Sequence, residues 1–132
     1  IGIKHYFTVH KLEHELSGMY DNVAHGEGLS ILFLAWAKYV CPYHQSLFAK
    51  FAYDVMGVST TTSFEQAARV GINRVEKYFE SIGMPTRLSQ LSITPKFFDD
   101  MANKATNNNQ TPVDGIKKLY KEDIIEIFKL AK

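Results

Sequence analysis

His10-Lys-Leu-Glu-His14-Glu-Leu-Ser-Gly-Met-Tyr20-Asp-Asn-Val-Ala-His25-Gly-Glu-Gly28 holds three of the five histidines in a chain of 132 residues. Residues 10–20 lack proline and carry apolar side chains at Leu12, Leu16, Met19 and Tyr20, the spacing of one helix face. On such a helix His10 and His14 stand one turn apart and point the same way. Gly18, Asp21 and Asn22 mark a turn, and His25-Gly26 opens the next apolar run, so a third imidazole folds back toward the first two. Imidazoles gathered from two helices are the raw material of a metal site. Spacing alone makes His10 and His14 the first pair of ligands and His25 a third.

Outward from this stretch the pattern stays helical. The first helix is expected over 5–20. A second, over 26–40, is apolar almost all round through Leu29, Ile31, Leu32, Phe33, Leu34, Trp36, Tyr39 and Val40, which implies burial on most sides. Cys41-Pro42 ends it, because proline disfavours helical geometry in the residue before it. A third helix over 43–55 places Leu47, Phe48, Phe51, Ala52 and Val55 on one face, and Gly57 stops it. Ser63, with Gln66 three residues on, resembles a capping box for a helix running to about Ile82, which Gly83 and Pro85 terminate. A short turn near 88–91 precedes Thr94-Pro95, an N-cap followed by proline at the first helical position, and a helix over 95–105. The polar loop Asn107-Asn-Asn-Gln110 leads to a last helix over 119–131, with Ile124, Ile125, Ile127, Phe128 and Leu130 inward. No alternating strand pattern persists. The expected fold is all-α, a helical bundle of about six helices, forming one domain over 1–132.

Composition narrows the function classes. At 45% hydrophobic and 22% charged residues the chain is ordinary for a globular domain, and a net charge of +1 gives no electrostatic reason to propose nucleic acid or an anionic membrane as partner. The longest apolar run, Leu29 to Cys41, is shorter than the roughly 20 residues that span a bilayer. A single cysteine, Cys41, forms no intrachain disulfide, and no apolar leader opens the chain, so a reducing cytoplasm is the expected location. The chain starts at Ile1 rather than methionine, with a dense motif within ten residues, which leads to the expectation of a piece of something longer.

Other candidate groups carry less. Glu13 and Glu15 flank the cluster and are expected on a solvated face, pointing away from His10 and His14. Cys41, at the end of an apolar helix with only Lys38 as a basic neighbour, reads as an inert buried thiol. His5 and His44 have no partner in the pattern, and Trp36 and the phenylalanines read as core.

The segment from His10 to Tyr20, followed by His25-Gly-Glu-Gly-Leu29, closely resembles the histidine signature of the iron-containing alcohol dehydrogenases, particularly the butanol dehydrogenase branch. The resemblance continues through Phe33-Leu-Ala-Trp-Ala-Lys-Tyr-Val40, Val55-Met-Gly-Val58, Phe79-Glu-Ser-Ile-Gly-Met-Pro-Thr86 and Leu119-Tyr-Lys-Glu-Asp-Ile124, covering essentially the whole chain. It implies that these residues are the later part of a C-terminal helical domain. An N-terminal α/β domain binding NAD or NADP would lie outside them, and one divalent metal, usually Fe2+ and in some members Zn2+, would sit in the cleft between. It implies His10 and His25 as two metal ligands, the other two lying outside this chain. His14 would be a catalytic histidine beside the nicotinamide and substrate, helping to relay the alcohol proton. It thereby replaces the pair that spacing proposes. The implied reaction interconverts small primary alcohols and aldehydes by hydride transfer to or from the nicotinamide. A homodimer is one assembly it allows, and the chain alone is expected to be inactive. One departure is an extra residue in the Asp21-Asn22-Val23-Ala24 turn, which bears on the placement of His25. The competing readings are a stand-alone helical metal-binding or interaction module, which predicts a well-covered surface and tight metal, and a purely structural bundle.

Overall fold

The structure is a computed structural model that describes residues 3–132, with side chains from Phe7 onward. Six α-helices follow one another: α1 (Ile3–Met19), α2 (His25–Val40), α3 (Gln45–Asp54), α4 (Phe64–Ser81), α5 (Phe98–Ala105) and α6 (Lys121–Ala131). Single 3-10 turns lie at Cys41–Tyr43, Leu88–Leu91 and Pro95–Phe97. Among the described residues the nearest thing to a sheet is one antiparallel bridge between Val113 and Leu119. The all-α expectation holds, and so do the helix bounds to within a residue or two except at the two prolines. Pro42 and Pro95 each initiate a 3-10 turn, so the third helix begins at Gln45 rather than 43, and the fifth at Phe98 rather than 95.

α2 is the hub. It packs against α1, α4 and α6, while α1 and α6 also meet α5, so four helices surround the main core and α3 and α4 form a hairpin at one side. Trp36, Leu32, Leu34 and Ile31 of α2 are essentially fully buried, as its all-round apolar pattern requires. The α3–α4 hairpin closes on small residues: Ala49, Ala52 and Ala67 are buried, and a Cβ built at Gly71 would lie 2.6 Å from that of Ala52. Two helices therefore approach almost backbone to backbone there.

Local chemistry sets the ends. Ser63 caps α4 by accepting from the Gln66 N–H at 3.3 Å. Gly83, at φ +80°, reverses the chain after it, with the Met84 N–H reaching the Phe79 carbonyl at 2.9 Å. Asn107, Asn108 and Asn109 all take left-handed φ, the conformation asparagine tolerates best among residues with a side chain. Two residues expected inward are exposed. Val55 lies just past the end of α3, and Leu130 falls on the side of α6 opposite the buried Ile124, Ile127, Phe128 and Ala131.

α2 and α6 are joined by a polar clasp. The Tyr39 hydroxyl donates to Asp123 Oδ1 at 2.5 Å, Lys117 Nζ donates to the same oxygen at 3.1 Å, and Oδ2 accepts the Tyr120 N–H at 2.9 Å. Burial pushes the Asp123 carboxyl up, but the hydrogen bonds from Tyr39, Tyr120 and Lys117 outweigh it and hold it below its ordinary value. A carboxyl depressed in the native state contributes stability that is complete above its unfolded value of about 3.9 and is lost as pH falls through the native one. Tyr39→Phe is therefore expected to cost about 1–2 kcal/mol at pH 7, with the gap from the parent chain narrowing toward pH 3 in urea unfolding. A gap independent of pH would show that Asp123 does not carry it.

Candidate metal centre

The three histidines meet where α1 and α2 lie side by side. Ring centroids are 4.5 Å apart for His10 and His25, 4.9 Å for His10 and His14, and 6.2 Å for His14 and His25. His10 is thus the common member of both close pairs. The α1 spacing places His10 and His14 one turn apart, and the 21–24 turn delivers the third ring. In that turn the Val23 N–H reaches the Tyr20 carbonyl at 3.2 Å, the Val23 side chain is buried, and α2 begins at His25 with the Ala24 N–H held by Glu27 Oε1 at 3.2 Å. His14 and His25 are exposed, so the cluster opens outward rather than into the core.

The donor set suits a divalent ion. Neutral imidazole ligates zinc or ferrous iron, and two rings sharing one ion at about 2.1 Å per nitrogen have centroids on the order of 5 Å apart. Yet among the described residues no group of three or more His, Cys, Asp or Glu side chains is placed to hold a metal by itself. What the described residues supply is a cluster of three imidazoles with centroids 4.5–6.2 Å apart.

Glu13 departs from expectation. Rather than lying on a solvated face, it is fully buried, with its Oε2 2.5 Å from His25 Nδ1 and its Oε1 accepting the Ser17 hydroxyl. The reason lies in α1 itself. Val9, Leu12 and Leu16 form its buried stripe, and at about 100° per residue Glu13 falls about 40° beyond Val9, at the border of that arc, and about 60° from His10. The signal was available in the spacing, but an acidic residue in an amphipathic helix is ordinarily solvated. Glu15 is half-buried and its described surroundings tie it to none of the histidines.

The remaining candidates lie elsewhere. Cys41 is buried beside a cleft of about 330 Å³ lined by Lys38, Pro42, Gln45 and Arg69, and none of the three histidines borders it. Burial pushes its thiol up, with Arg69 opposing, as befits an unreactive group. Lys38 is engaged by Glu76 at 2.8 Å. His44 is exposed at the start of α3, with Ser46 Oγ 3.4 Å from its Nδ1, while the side chain of His5 lies outside the described residues. Among the described residues no helix is long and apolar enough to cross a membrane.

An all-α domain that offers clustered imidazoles on an open face is the class the geometry defines. The chain belongs to the Fe-containing alcohol dehydrogenase family, whose C-terminal family model matches residues 2–132. It is 32% identical to NADH-dependent butanol dehydrogenase A of Clostridium acetobutylicum over 126 residues, covering 93% of this chain and 32% of that one. It is 30% identical to the probable NADH-dependent butanol dehydrogenase 1 of Bacillus subtilis over 132 residues, covering 99% and 33%. The crystal structure of NADH-dependent butanol dehydrogenase A from Thermotoga maritima superposes with a TM-score of 0.84 at 30% identity, over 95% of this chain and 32% of that one. The chain thus spans about a third of the length of the relatives it matches, and what it matches is their C-terminal part.

Proposed function

We propose that this chain is the helical, metal-holding domain of an NAD(H)-linked alcohol dehydrogenase that interconverts primary alcohols and aldehydes. His10 and His25 hold the metal, and His14 handles the alcohol proton. The observation that carries the reading is the meeting of three imidazoles from α1 and α2 on an open face, within 6.2 Å of one another. An exposed cluster supports a partner domain over it better than a self-contained metal module does, because a self-contained site would be covered.

When bound, a divalent metal, Fe2+ foremost and Zn2+ as the alternative, supplies Lewis-acid polarisation of the substrate oxygen. The residues of this chain do the rest. His10, half-buried on α1, and His25, on the first turn of α2, come from two packed helices, so their separation is fixed by the fold rather than by loop motion. His14 is exposed one turn from His10, where an imidazole can take a proton from the alcohol and pass it to water. The nucleotide, NADH by likeness to the relatives and NADPH otherwise, is held by an α/β domain outside these residues. A reducing cytoplasm suits both the free Cys41 thiol and ferrous iron.

The test uses the full-length protein and this chain side by side, with butan-1-ol and NAD. Full-length protein is expected to turn over, to lose at least about tenfold of its rate on chelation, and to regain it with Fe2+ or Zn2+. The chain alone is expected to give no turnover. Activity in the chain alone would overturn the two-domain reading, and indifference to chelation the metal reading.

A further inference from the structure

We propose that Glu13 is a positioning residue for His25: its buried carboxyl accepts the Nδ1–H, fixing the tautomer and rotation of the ring so that Nε2 is the nitrogen left to bind a metal. The inference rests on the reading of His25 as a ligand and adds to it a residue that touches neither metal nor substrate.

Three features of the packing carry it. First, the Glu13 side chain is 1% exposed while that of His25 is 48% exposed, so the acid is the fixed partner and the imidazole the one being held. A half-exposed ring on a helix's first turn has rotational freedom that a 2.5 Å contact to a fixed carboxyl removes. Second, a buried carboxyl needs partners for both oxygens, and here they are divided by role: the Ser17 hydroxyl satisfies Oε1, leaving Oε2 to His25. Third, α2 is shaped around the acid. A Cβ at Gly28 would stand 2.8 Å from both Glu13 Cγ and Oε1, so the absence of a side chain at that position gives the carboxyl its room. Gly28 lies three residues after His25, on the same face of α2. A metal-binding histidine commonly donates its other ring N–H to a carboxylate or carbonyl, which sets ring orientation and raises ligand basicity.

The experiment uses the full-length protein, with Fe2+ and Co2+ as probes. Metal affinity is measured by chelator competition, ligand geometry by the visible spectrum of the Co2+ form, and folding by thermal melting of the metal-free form. Glu13→Met keeps the buried volume but offers only a weak thioether acceptor in place of a carboxylate, and is expected to weaken metal binding about 10–100-fold and to alter the Co2+ spectrum. Glu13→Gln presents a carbonyl oxygen to the same N–H and is expected to restore affinity to within about threefold of the parent. His10→Ala is the reference for the site itself and is expected to lose the metal. If Glu13→Met melts lower but binds metal as the parent does, Glu13 is only an interhelix clasp and the proposal fails. If Glu13→Gln is as weak as Glu13→Met, a hydrogen bond to Nδ1 is not what matters and it fails likewise. If His10→Ala keeps its metal, it is the metal-site reading that fails.

Discussion

In the full-length protein, His25→Ala is expected to empty the metal site and to lower kcat/KM for butan-1-ol by roughly 10³-fold, while His14→Ala keeps its metal and loses roughly 10²-fold in rate. The contrast separates two readings that ring geometry alone leaves level. His10 lies 4.5 Å from His25 and 4.9 Å from His14, a difference too small to choose its partner. Helical spacing favours the pair within α1. The resemblance to the family's histidine signature implies the pair across the two helices, and the proposed role of the buried acid beside His25 agrees with that pair. Losing a ligand removes Lewis-acid stabilisation, about 4 kcal/mol at a thousandfold. Losing an acid–base group removes less and changes the pH dependence of the rate, because water then takes the proton directly. Metal content per protomer and the pH profile of kcat/KM check the two variants. If His14→Ala emptied the site while His25→Ala left it full, the ligand pair would be His10 with His14, as the spacing has it.

Helices were legible in this sequence because apolar periodicity is a local signal. α2 reads as buried on most sides and is so, and the Ser63 start and Gly83 stop of α4 act where their chemistry puts them. What was not legible depends on a second element. Leu130 looks as apolar as Ile127, and only the position of α5 and α2 against α6 decides which one is covered. The gathering of His10, His14 and His25 follows from a turn signal and two helix starts, so it could be anticipated. Glu13 could not be placed by its residue type, because charge argues for solvent at any single position. It is placed by its position at the border of the Val9, Leu12 and Leu16 stripe and by the glycine that α2 sets opposite it. A buried acid in a histidine cluster is thus recognised from two helices read together.

Gly28→Ala is expected to destabilise the chain by about 2 kcal/mol and to weaken metal binding at least about tenfold, although the residue has no side chain to contribute. The added methyl would lie 2.8 Å from Glu13 Cγ and Oε1, inside any real contact distance. A long, flexible acid on the surface would simply swing away. Glu13 has no such route, since it is fully buried and held at both oxygens, so either α2 moves away from α1 or the carboxyl leaves His25. Both displacements act on the same ring. A second substitution tells them apart: Glu13→Ala vacates the volume that the methyl needs, so Gly28→Ala added to Glu13→Ala should cost far less stability than it does alone, a coupling of about 1–2 kcal/mol. Metal affinity should then be no lower in the double variant than in Glu13→Ala, because the group through which Gly28 acts is already gone. Urea unfolding of the metal-free proteins and chelator competition measure the two quantities. Additive losses in both would mean that Gly28 is held small by something other than Glu13, and would detach the glycine from the metal centre.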